Sequence, residues 1–320
     1  MTQSLSAAFF HDLPPDFTKL ERGDIEGQRM AVKGSQLSMA VQTTYLVPHH
    51  PAETLSQIKR INRQMDGDGT SSATFGVHGR FVIPFPARVE DFETFQLTQK
   101  TGRFGFGGAS MLELRRRDLN ISEAEWRMLQ EASRDGHSGL DLAWKRVFLE
   151  RALSFQRGGL MAATPYDHPK AGTTFRHHPE WVTLLRDLPE VLSHFQSLIG
   201  LLMTGPSKPD HSPALYFWEE SKVQGDPTFS LICLVSEAGS NNSFRAVECA
   251  YYVTGKYYSS MVLYDLKTVR IQNQEQTLVR RVDLVITPSI GLLRGIERAA
   301  AENIMLQEVR SSISLFLREN

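Results

Sequence analysis

The segment from Phe244 to Asn320 leaves the fewest options for a fold. Residues 244–253 and 257–266 are rich in β-branched and aromatic side chains, with Thr254-Gly255-Lys256 between them. A two-residue turn at Gly255-Lys256 suits type II′, which needs glycine first. That register sets Tyr251 opposite Ser260, Val253 opposite Tyr258, Cys249 opposite Val262 and Val247 opposite Tyr264. One face of the hairpin then carries Val247, Cys249, Tyr251, Val253, Tyr258, Val262 and Tyr264. The other is mixed and includes Glu248, Tyr252, Tyr257, Met261 and Asp265. A hairpin that is apolar on one face needs a layer to cover it. A slip of one residue would exchange the faces, so the reading hangs on the turn.

Leu278 to Thr287 continues the sheet, with Leu278, Val282, Leu284 and Ile286 on one face and Arg280 as the odd member. Pro288 ends that strand. From Ile296 the period becomes helical. Ile296, Ala300 and Ile304 recur every four residues, and Leu306, Val309, Ile313, Phe316 and Leu317 carry the stripe onward. Arg298 and Glu302, one turn apart, then belong on the wet side. The closing helix is expected to lie as a lid over the apolar face of the sheet.

Residues 1–35 read as a polar lead-in. Leu37 to Val47 alternates as a half-buried strand, and Pro51 opens a short helix with Leu55, Ile58 and Ile61 on one face. Thr74 to Ile83 reads as a second strand and Ala109 to Leu119 as a third. Ser122 and Glu125 form a capping box for a helix to about Arg134. Leu140 to Phe155 is strongly amphipathic and is stopped by Gly158-Gly159. Residues 165–179 form a proline-punctuated connector between an N-terminal half, 36–164, and a C-terminal half, 180–320. Trp181 to Met203 is helical with a break at Pro189. Leu215 to Val223 and Thr228 to Glu237 pair around Gly225-Asp226-Pro227.

The order is strand, helix, strands, a helical middle, an antiparallel meander and a terminal helix, which is α+β. In layout the last hundred or so residues, with the first strand-to-helix step, resemble the helix-grip proteins of the START type. There a curved antiparallel sheet wraps a long C-terminal helix around an apolar cavity. No motif accompanies the likeness, so it speaks to layout alone.

A length of 320 residues with 41% hydrophobic and 22% charged content can bury a large core. The net charge of −1 argues against a general nucleic-acid binder, and Arg115-Arg116-Arg117 reads as a solvated strand end. No apolar run approaches the roughly eighteen residues a membrane span needs. Met1 to Phe10 lacks a signal-peptide pattern, so a cytoplasmic protein is expected if Met1 is the natural start, and a periplasmic or secreted one if a leader was removed. Cys233 and Cys249 fall on neighbouring strands, directly opposite if the loop is Gly239 to Ser243. Buried free thiols are the expectation.

Motifs for chemistry are sparse. Ser56-x-x-Lys59 with Lys100-Thr101-Gly102 echoes a serine acyl-transfer site, but the only Ser-x-Asn element, Ser240-Asn241-Asn242, follows them. His177-His178, His49-His50 and the Glu190/His194 pair lack the further ligands a zinc site requires. Gly102 to Gly108 lacks the GxGxxG spacing. No catalytic residue, metal or cofactor is expected. The tyrosines carry the functional expectation. Tyr251, Tyr258 and Tyr264 fall on the core-facing side of the hairpin, each with a hydroxyl that wants a partner, and Arg281 could anchor a polar group. The favoured reading is a non-catalytic protein that holds an apolar or amphiphilic small molecule, such as a lipid, between sheet and terminal helix. The rivals are a hydrolase-like enzyme with a site assembled in space around the histidine-bearing middle, and a structural or interaction protein.

Overall fold

In a computed structural model of the chain, the residues described are 15–60, 75–95, 119–168, 173–205, 214–223, 226–288, 293 and 295–319. The alternation after Leu37 forms strand β2 (Ser38–Val47), preceded by helix α1 (Phe17–Glu21) and strand β1 (Glu26–Met30). Pro51 starts helix α2 (Pro51–Lys59), whose N-terminal amides are capped by the His50 ring. Strand β3 (Phe75–Ile83) follows.

The helical middle then begins. The Ser122/Glu125 box caps helix α3 (Glu123–Ala132) as the sequence implies. Helix α4 (Gly136–Ala162) is interrupted where the sequence implies, at Gly158 and Gly159, whose backbone angles are not helical; a last short turn follows them. Gly159 has φ +58°, and a Cβ on it would stand 2.4 Å from the amide of Gly205 and from the carbonyl of Leu202. Only glycine fits this crossing. A small hairpin, β4 (Tyr166–His168) and β5 (Thr173–Phe175), leads to helices α5 (His177–Arg186), α6 (Pro189–His194) and α7 (Gln196–Thr204).

The meander closes the chain: β6 (Leu215–Val223), β7 (Asp226–Ala238), β8 (Phe244–Val253), β9 (Ser259–Ile271) and β10 (Gln274–Ile286), then helix α8 (Gly295–Glu319). One eight-stranded antiparallel sheet runs β1-β2-β10-β9-β8-β7-β6-β3 and takes strands from both halves of the sequence. The element order on which the helix-grip likeness rests is present, the β2–α2 step and the meander followed by a terminal helix, but that helix lies over β1 and β2 and not, as expected, as a lid over the β8–β9 hairpin. The segments 96–118, with the expected third strand, and 206–213 lie outside the described residues.

The sheet is covered on both faces. Helices α3 to α7 bury one face in the main core, where Phe148 stacks on Phe229 at 3.9 Å and Phe155 stacks on Tyr251 at 3.9 Å. The opposite face meets α2 over β8, β9 and β10, and α8 over β1 and β2.

Two expectations are corrected. The β8–β9 hairpin is not joined by a tight Gly255-Lys256 turn. It pairs Ala250 with Ser260, Cys249 with Met261 and Ala246 with Tyr264, one residue away from the expected register. The reason lies in residues 254–258, which bond elsewhere: Thr254 N donates to Phe229 O and Tyr258 N donates to Ile286 O. As a result Met261 and Leu263 face the main core, and Val262 and Tyr264 face α2 and α8. A bulge at Tyr251 in the β7–β8 ladder adds to this. It explains why Tyr251 and Tyr252, adjacent in sequence, both join the main core.

The second correction concerns α8. Leu306, Val309 and Ile313 are buried as expected, but Ile296 and Ile304 are 89% and 63% exposed. The first half of the helix turns its polar side inward. Arg298 donates to the carbonyls of Gln36 and Ser38, and Glu302 stands 3.6 Å from Arg29 of β1. Backbone carbonyls beside the sheet edge accept from the guanidinium, which isoleucine could not supply.

Candidate functional site

The tyrosines expected to share a face are divided by the sheet. Tyr251 and Tyr258 lie under the helical middle, Tyr258 stacked on Phe175 at 4.2 Å. Tyr264 and Arg281 are brought together on the α2/α8 face, with the guanidinium carbon 5.5 Å from the ring centroid. The structure therefore offers two polar clusters, one on each face.

The cluster under the helical middle is sealed. Arg151 of α4, 3% exposed, bonds Glu125 at 2.6 Å and Thr164 O at 3.0 Å, and lies over the rings of Tyr252 and Tyr166. Tyr166 donates its one proton to Tyr258 O at 3.1 Å. Its oxygen must then accept from His177 Nε2 at 3.0 Å, which fixes the tautomer and leaves Nδ1 as a bare acceptor. Among the described residues no partner meets His177 Nδ1 or the hydroxyls of Tyr251 and Tyr252. Burial, aided by the nearby Arg151 charge, pushes His177 down to about 3, so the ring stays neutral.

The cluster on the α2/α8 face is ionic. Every second residue of each strand points there, which places Arg281 and Asp283 of β10, Tyr264 of β9, Glu248 of β8, Glu219 of β6 and Arg80 of β3 on one surface. Arg281 grips Asp283 with a two-pronged fork, 2.8 Å and 2.6 Å. Arg80 donates to Glu219 at 3.1 and 2.8 Å, crosses the ring of Phe217 at 4.0 Å, and reaches Glu248 at 3.3 and 3.4 Å. Tyr264 lies within the field of both ion groups on this face, through Arg281, Glu248 and Asp283.

Burial raises Glu219 and Asp283 above the usual carboxylate range; the adjacent guanidinium opposes this in each case, and Glu248 adds to it. Burial also pushes the Tyr45 phenol up to about 12, so it faces Arg281 as a neutral group. The ions keep a small opening to solvent: side-chain exposure is 14% for Arg80, 16% for Glu248 and 14% for Arg281. Leu55 and Ile58 of α2 and Leu306, Val309 and Ile313 of α8 supply apolar walls.

Sequence reasoning passed over Arg80, Glu219, Glu248 and Asp283. Their signal was present but easily misread: charged residues in phase with an apolar strand face look like a solvated side. The other sequence candidates scatter. His49 lies 3.4 Å from Glu53, and His178 is half-buried at the surface. His194 Nε2 meets Asp265 at 3.2 Å, and Asp265 is also held by Lys267 at 3.0 Å. Among the described residues no three His, Cys, Asp or Glu side chains are placed to hold a metal. None of the helices, searched over the same residues, is long and apolar enough to cross a membrane. Cys233 and Cys249 oppose each other directly as buried free thiols, around the Gly239–Ser243 loop. Lys100-Thr101-Gly102, the glycine-rich run and Arg115 to Arg117 lie outside the described residues. No family model, no curated protein and no solved structure matches this chain.

Proposed function

We propose that this protein binds a small amphiphilic molecule on the sheet face beneath α2 and α8, without catalysis. One observation carries the reading: five charged side chains, Arg80, Glu219, Glu248, Arg281 and Asp283, lie mostly buried on one sheet face where apolar residues would pack at less cost. Removing such ions from water costs several kcal/mol each, and replacing buried ion clusters with apolar side chains is often neutral or stabilising by about 1–4 kcal/mol. A stability argument does not explain them. A polar floor between apolar walls does suit a ligand with a polar head and an apolar body. Tyr264 and Arg281 keep the role expected of them at this floor, while Tyr251 and Tyr258 serve the opposite core.

The test is mass spectrometry of the purified protein, native and then after organic extraction. A stoichiometric amphiphile released by extraction is the expected result. Protein purified from its natural host that carries none, and that binds no amphiphile on titration, would overturn the reading.

A further inference from the structure

The chain has two cysteines, and the sheet sets them face to face. Cys233 of β7 and Cys249 of β8 are register partners on neighbouring antiparallel strands, so both side chains leave the sheet on the same side. Both join the core under the helical middle. Directly opposed residues of antiparallel strands have Cα atoms about 5.5 Å apart at hydrogen-bonded positions and about 4.5 Å apart at the others. Either spacing falls within the roughly 4.4–6.8 Å that a disulfide spans. The register is also secure: the ladder runs without a shift from the cysteine pair to Ala238 and Phe244, and Gly239 N donates to Ser243 O at 2.8 Å in the connecting turn.

The surroundings decide when such a bond can form. Both cysteines are fully buried, and burial pushes both thiols up from their usual range, Cys233 further so beside Cys249. Only a thiolate attacks a disulfide, so the pair is inert once the sheet has closed over it. The state reached during folding is therefore the state that is kept.

We propose that Cys233 and Cys249 join as a cross-strand disulfide when the chain folds in excess of a small-molecule disulfide, and that the closed sheet then shields the bond from reductant. In the open chain one cysteine loses its proton to water, and its thiolate attacks a sulfur of the small disulfide and releases one small thiol. The thiolate of the other cysteine attacks the protein sulfur of that mixed disulfide and releases the second small thiol. Two electrons and two protons pass from the pair to the oxidant. The native register favours this product over mixed or intermolecular ones, because it already holds the two sulfurs on one side of neighbouring strands. The proposal does not depend on the amphiphile reading.

The test refolds the full chain from urea in excess oxidised glutathione, and in parallel with reductant. Each sample is then denatured with N-ethylmaleimide and its intact mass is measured. The oxidised arm should give a monomer about 2 Da lighter, the loss of two hydrogens, with no adduct. The reduced arm should carry two adducts. The oxidised form should melt several degrees higher, because the bond constrains the unfolded chain. Dithiothreitol should reduce it on the order of tenfold more slowly in the folded state than in urea. A folded chain from the oxidised arm that carries two N-ethylmaleimide or two glutathione adducts, or that is linked into dimers, overturns the proposal. Equal reduction rates in the folded state and in urea overturn the shielding. If the chain does not refold from urea, the same mass measurement on soluble chain made in bacterial cells with an oxidising cytoplasm decides the matter.

Discussion

The two faces of the central sheet are built from the same strands and solve the burial problem differently. Under α3 to α7 the face is largely aromatic, and its buried charges are paired: Arg151 with Glu125 at 2.6 Å, wrapped by tyrosine rings, and Asp265 with Lys267 at 3.0 Å and His194 at 3.2 Å. Under α2 and α8 the face holds five ionisable groups with measurable exposure and unequal pairing. The first face has the arrangement that stability selects: dense packing, with charges neutralised where they occur. The second buries charge with no matching gain in packing, which is the feature the proposed binding role would account for. Proteins commonly give up stability at functional sites.

Substitutions can break this contrast. The largest effect is expected at the closed face: Phe148→Ala, which removes a ring stacked on Phe229 and packed by Phe95 and Trp144, should cost about 4 kcal/mol in urea unfolding. A cost below about 1 kcal/mol would show that this face is not the tightly packed one.

The next test uses pH. The folded value for His177 lies below its usual 6.5, at about 3. The unfolded chain therefore takes up the proton first as pH falls. Stability is full above pH 6.5 and should decline by about 1.4 kcal/mol per pH unit below it, or about 3 kcal/mol by pH 4.5. His177→Gln should flatten that part of the pH profile measured by thermal unfolding; an unchanged slope would place the loss in other groups.

A smaller effect should differ in sign between the faces. Tyr251→Phe removes a hydroxyl that has no partner among the described residues of the closed core, and should leave stability equal or raise it by up to about 1 kcal/mol. Tyr45→Phe removes a hydroxyl that meets Arg281, and should lower stability by about 1 kcal/mol. The same sign for both in denaturant titration would undo the distinction. Smallest of all, Glu248→Gln keeps one acceptor oxygen, gives up one long bond and the charge, and relieves repulsion with Glu219 and Asp283, so its stability should stay within about 0.5 kcal/mol of wild type. A loss of several kcal/mol would make Glu248 a structural ion and not a binding one.

The sequence made the fold class legible because local signals agreed with the global pattern. The alternation of β2, Pro51 at the head of α2, the Ser122/Glu125 box and the Leu306–Val309–Ile313 stripe all appear as read. The site was half legible. Tyr264 and Arg281 were singled out and do meet, but Tyr251 and Tyr258 were assigned to the same face because a glycine in a short turn outweighed the contacts that hold residues 254–258. Those contacts come from Phe229 and Ile286, distant in sequence, and no local signal reports them. The β9–β10 turn hid for a related reason: Gln272 and Asn273 take positive φ of 48° and 67° where glycine would have announced the hairpin. In α8 the apolar stripe of Ile296, Ala300 and Ile304 outvoted Arg298, whose carbonyl partners lie some 260 residues earlier. Charged residues on a strand or helix carry no mark of what they will meet, and the ionic floor is made of such residues.

The most direct measurement is a crystal structure of the protein as purified from its natural host, read over the β8–β10 face. The account predicts ordered non-protein density against Glu248 and Tyr264, bounded by the apolar side chains of α2 and α8. A face packed solid by protein side chains, with the ions closed off and no room for a ligand, would contradict it.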